Sequence, residues 1–134
     1  MTDAAHKELL EAGMKMRRKV MGDAYVDKQL QQSSDFMKPM QDLAMEAAWG
    51  TIWTRSGLEL KQRSLIVIAL LASQGKEVEL AAHIRGAVNN GATEIEIRET
   101  LLQTATYSGM PTGVSAFRVA DVVIKQLKEE GKLP

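Results

Sequence analysis

The chain contains no cysteine, which excludes disulfides, thiolate metal sites, thiol nucleophiles and every CxxC redox mechanism. It also lacks a charge excess, because 17 basic and 17 acidic side chains leave a formal net charge of zero. No global field draws it to nucleic acid or to an anionic membrane, so neither is expected as a partner. Aromatic residues amount to only 4%, and no base-stacking platform or aromatic cage stands out. The longest apolar run, LIVIALLA at 65–72, is less than half of the roughly 20 residues that a membrane span needs. The N-terminal MTDAAHKELLEAGMKMRRKV carries charges throughout, unlike a secretory leader. These features lead us to expect a soluble, cytoplasmic protein.

What is present is helical punctuation. The 134 residues suit one domain, 1–134, that buries roughly two-thirds of the surface of its unfolded chain. Proline occurs only at 39, 111 and 134, and β-branched residues do not alternate as they would in half-buried strands. We therefore expect an all-α bundle of about six to seven helices. Leu9, Leu10, Met14 and Met16 give a loose helical period over Asp3–Val20, and a second helix restarts after Gly22, with Asp23 as a possible N-cap. Pro39 suits the first turn of a third, which runs through MQDLAMEAAWGTIW. Ser56 and Glu59 have the spacing of a capping box before LKQRSLIVIALLASQG, where Gly75 is the stop. A helix over 77–90 closes at Gly91, and Thr93 with Glu96 forms a second box that opens a helix through Tyr107. The last helix is expected from about Thr112 to Glu130.

At 100° per residue the helix over 77–90 sorts into two stripes. Leu80, Ile84, Ala87 and Val88 form the apolar one, and Glu79, His83, Gly86 and Asn90 lie beside it. His83 thus stands at the border of the core with Glu79 one turn before it. A carboxylate at that spacing can accept from the imidazole, favour its charged form and fix its orientation, as a general acid requires. The same spacing equally suits a structural pair. Arg63 and Arg55 are candidate carboxylate clamps, because guanidinium forks bind carboxylates bidentately, and each is equally readable as a solvated charge. Arg63 has the stronger claim, standing just before the most apolar run. Trp49 and Trp53 share one side of a helix with Glu46 a turn earlier, as core packing or as a pocket wall. Tyr107, before SGMP, either packs or offers its hydroxyl to a cleft. His6 is assigned no role.

No metal site is expected, because one histidine ligand is too few for zinc. No phosphate-binding loop and no G-x-S-x-G elbow occur.

The segments RRKVMGDAYVD, WGTIWTR, RSLIVIALLA, ELAAHIRGAVNNG, EIRETLLQ and YSGMP, taken in order, resemble the carboxymuconolactone decarboxylase family, and its namesake branch most. The likeness runs over about residues 13–125. Peroxidase-type relatives, similar to alkyl hydroperoxidase D, use a CxxC before the shared histidine and a glutamate in the preceding helix. Here Lys76 and Glu79 stand in place of those cysteines and Ser64 in place of that glutamate, so thiol peroxidase activity is excluded.

The resemblance implies an alkyl hydroperoxidase D-like helical fold and a cofactor-independent decarboxylase. Its implied reaction takes 4-carboxymuconolactone to 3-oxoadipate enol-lactone, in aromatic-acid breakdown by the β-ketoadipate pathway. The expected partner is a small lactone carboxylate, with no cofactor, because the substrate itself supplies the electron sink. On this likeness His83 is the proton donor, Glu79 its orienting partner, and Arg63 or Arg55 the clamp. Trp49, Trp53 and Tyr107 line an apolar cavity, with Glu46 beside them. Family members of this kind form rings, so a homo-trimer or homo-hexamer is expected.

Overall fold

A computed structural model describes residues 1–134, all of them in helices and the turns between them, with no strand. Two compact units follow one another along the chain, Met1–Glu59 and Leu60–Pro134. No helix is long and apolar enough to cross a membrane.

In the first unit α1 (Asp3–Met21) is capped by the Thr2 side chain, which accepts from the Ala5 amide at 3.1 Å. Gly22, at φ 88°, ends it and serves as the N-cap of α2 (Asp23–Gln31). Asp23 is therefore inside the helix and not its cap. It joins Asp27 in holding Arg18, at 3.0 and 2.8 Å, so RRKVMGDAYVD forms a clamp across the α1–α2 turn. Those bonds, the one to Asp27 first, raise the pKa of the Arg18 guanidinium.

The third helix, α3 (Lys38–Ala44), has Pro39 in its first turn as expected. It widens into a π-helical segment, Met45–Gly50, that no periodicity announced. That segment packs on α1 through bare backbone. A Cβ on Gly13 would lie 2.1 Å from the Met45 carbonyl oxygen, and one on Gly50 would lie 2.5 Å from that of Leu9. Leu9, Leu10, Met14 and Met16 are only half-buried around this contact.

The second unit is built from α4 (Leu60–Ser73), α5 (Glu77–Asn89), α6 (Glu94–Ser108) and α7 (Met110–Glu129). Pairs α4–α5, α4–α6, α5–α7 and α6–α7 pack together. One apolar core joins them, with Ile68, Leu80, Ile84, Ile97, Leu101 and Leu127 almost wholly buried. Burying each such side chain contributes roughly 1.5–3 kcal/mol, which is why the apolar stripe of α5 is helical and faces inward.

Two boundaries differ from the sequence expectation. The Ser56–Glu59 box does not form, because α4 begins only at Leu60 and Glu59 precedes the helix. The last helix starts at Met110, since Pro111 fits its first turn. The Thr93–Glu96 box is complete, with both bonds at 3.0 Å. The Thr93 amide, then Lys61, hold the Glu96 carboxyl below the usual carboxylate range.

Candidate active site

The seam between α4 and α5 is one place where polar side chains of the second unit meet. His83 projects from α5 and is half-buried, with its Nδ1 atom shielded from solvent. Arg63, in the first turn of α4, is likewise half-buried, and its Nε atom is sheltered. Both residues take part in interactions. Partial burial of an imidazole and of a guanidinium separates each of them from ordinary surface charge.

The seam holds a bond that residue spacing did not announce. Ser64 is 0% exposed, and its hydroxyl oxygen accepts from Asn90 Nδ2 at 2.9 Å. The same amide reaches the Leu60 carbonyl at 3.4 Å. Asn90 lies two turns after His83 on the stripe that also carries buried Gly86. A lone hydroxyl inside RSLIVIALLA was the available signal for this contact, because a fully buried hydroxyl needs a partner.

Glu79 shares that stripe, and its side chain is exposed. It lies with Glu77 in the first turn of α5, where the helix dipole favours an acid. Arg85 is not a ligand candidate, because its guanidinium is taken by Glu130 at 2.9 and 3.1 Å and by Gln126 at 2.9 Å. Tyr107 is 83% exposed at the end of α6 and lines a groove with Leu65, Ile66, Ala69 and Leu70 of α4. That groove lies on the α6 flank of α4, whereas His83 and Asn90 belong to the α5 flank.

In the first unit, Trp49 and Trp53 are buried and stacked, with ring centroids 4.8 Å apart at an interplanar angle of 20°. Trp49 belongs to the π-helical segment, and the Trp53 amide donates back to the Ala48 carbonyl at 3.0 Å, five residues earlier. The wider turn is what lays the second ring over the first. Glu46 Oε1 accepts from His6 Nδ1, so its carboxylate already has a partner on α1. Arg55 is exposed in the turns after Trp53 and is also engaged. No three histidine, aspartate or glutamate side chains converge as a ligand set for a metal ion.

Comparison with known proteins bears on what the chain does. The model of the carboxymuconolactone decarboxylase family matches residues 38–122, from the first residue of α3 into α7. The chain belongs to this family. It is 42% identical to a nitrosuccinic acid decarboxylase of Metarhizium robertsii, over 97% of the chain and 91% of that relative. It is 37% identical to a 4-carboxymuconolactone decarboxylase of Acinetobacter baylyi, over 86% of each. An uncharacterized 15.0 kDa protein of Paracoccus denitrificans is 30% identical over 97% of the chain and all of its own length. Two of these three family relatives are decarboxylases, so decarboxylation is the activity that the comparisons support.

Proposed function

We propose that the protein removes CO2 from a small dicarboxylate that carries its own electron sink, with 4-carboxymuconolactone as the substrate. The observation that supports this most is the half-buried His83 imidazole, with its Nδ1 sheltered from solvent, on the helix that Asn90 bonds to buried Ser64. In 4-carboxymuconolactone the departing carboxylate leaves its electron pair in the ring. The pair moves through the alkene into the lactone carbonyl, and a proton returns to the carbon α to that carbonyl. No added cofactor is needed, because the lactone holds the electrons. The protein's tasks are to hold the second carboxylate, to stabilise the oxyanion and to return the proton.

His83 is the proton donor in this scheme and Arg63 the clamp for the retained carboxylate. If Arg63 is the clamp, Arg63→Lys raises KM by about 10-fold while kcat changes little, because the ammonium keeps the charge and loses the fork. A fall in kcat at constant KM assigns Arg63 to the oxyanion instead.

The 42% identity to a nitrosuccinic acid decarboxylase favours a second substrate reading. In nitrosuccinic acid the carboxylate α to the nitro group departs as CO2, and the nitro group takes the electrons. A second carboxylate again remains and a carbon is again protonated, so the same side chains suffice. Parallel assays of CO2 release from the two acids separate the readings. A kcat/KM at least 100-fold higher for 4-carboxymuconolactone is expected, and the reverse ratio transfers the proposal to the nitro acid.

We place this chemistry in a homo-oligomer, a trimer or a hexamer. Leu102, Met110 and Val114 are 48%, 62% and 48% exposed along a groove of ≈ 490 Å³ between α6 and α7. Contiguous apolar surface of this kind marks association.

A further inference from the structure

We infer that the Asn90–Ser64 hydrogen bond is a positioning device, which sets where the His83 imidazole stands relative to the Arg63 guanidinium. The inference rests on the decarboxylase reading above. Its starting point is chemical economy: Ser64 is wholly buried on an apolar helix, where alanine would fill nearly the same space without a partner. Replacing a buried polar pair by apolar groups is often close to neutral for stability, so the bond is not required to hold α4 on α5. What a buried directional bond adds is register.

The geometry specifies which register. The Asn90 amide inserts at Leu60 and Ser64, one turn apart on α4, with Arg63 in that same turn. Asn90 is also the residue that terminates α5, its own amide donating to the Gly86 and Ala87 carbonyls at 3.0 and 3.1 Å. The end of α5 is therefore fixed both along its own axis and against α4. His83 lies seven residues earlier on the same stripe, so rotation or sliding of α5 is transmitted to the imidazole through rigid helix. Neither Asn90 nor Ser64 is placed on the substrate; both act through His83 and Arg63.

The test uses Ser64→Ala, Asn90→Ala and the double variant of the full chain, with 4-carboxymuconolactone as the probe. Each single variant is expected to lower kcat by about 10-fold or more and leave KM within about twofold, since small misplacement acts on the chemical step. The double variant is expected to be no worse than either single one, because both remove one bond. Ring 15N shifts of His83 report position without substrate. The chain has only two histidines, and His6→Ala identifies the other set. Those shifts are expected to move in Asn90→Ala. Unchanged kcat in folded single variants, additive losses in the double, or an unmoved His83 ring signal overturns the inference. Should Asn90→Ala not fold, Asn90→Gln keeps an amide displaced by one methylene, and full kcat in that variant has the same meaning. If wild type fails to turn over the lactone, the substrate reading falls by itself, and the His83 ring signal still decides the positioning role.

Discussion

His83→Ala lowers kcat by about 10²- to 10⁴-fold while the protein stays folded, which is the range that a positioned general acid contributes. The imidazole is only half-buried, so truncating it leaves no large cavity in the core formed by Leu80 and Ile84 on the neighbouring stripe. Thermal unfolding of the variant is therefore expected within a few degrees of wild type. Loss of CO2 release with retained helicity assigns the proton to His83. A variant with full turnover removes the imidazole from the chemistry and leaves the seam as a structural feature. Glutamine at the same position is a useful companion, because it preserves polarity and reach but cannot deliver a proton near neutral pH.

Gly13→Ala is expected to cause the largest loss of stability of any single methyl added to this chain. The new Cβ would lie 2.1 Å from the Met45 carbonyl oxygen and 3.1 Å from the Gly50 amide nitrogen. Both are backbone atoms of the π-helical segment, so relief requires α1 to move away from it. In an exposed helix the same change would gain about 1 kcal/mol from propensity. Overpacking against backbone outweighs that gain, giving a net loss of about 3 kcal/mol and a drop in Tm of about 10 °C. Trp49 and Trp53 are the only two tryptophans and both lie in the first unit, so their emission follows the disturbance directly. Gly57→Ala is the control, because a Cβ there meets nothing within 4 Å. Equal melting of the two variants shows that α1 yields without cost.

The helices of this protein are legible in its sequence where a local device marks them. Gly22, Gly75 and Gly91 all take positive φ at helix ends, as only glycine does readily. Thr93 and Glu96 bond each other's backbone as their spacing requires. Ser56 and Glu59 have the same spacing, yet α4 starts later; the pattern is short, and tertiary packing decides whether it is used. The π-helical turn had no local mark. Its counterpart lies about thirty residues earlier, where Gly13 of α1 admits the Met45 carbonyl.

The same division runs through the candidate site. The stripe carrying His83 and Asn90 follows from helical period alone, and the likeness to the family singled out His83. Ser64 was visible as a residue standing where relatives have glutamate, but its bond to Asn90 joins two helices and has no local signature. Glu79 shows the opposite case. Its spacing from His83 allows a bond, but exposure to water and the α5 N-terminus offer the carboxylate competing stabilisation.

The most direct measurement is turnover of 4-carboxymuconolactone by the purified protein in D2O with a metal chelator present. Decarboxylation by His83 without a cofactor predicts one CO2 per lactone consumed and a single deuterium at the product carbon α to the lactone carbonyl. An intact lactone after prolonged incubation, or turnover that stops with the chelator, contradicts it.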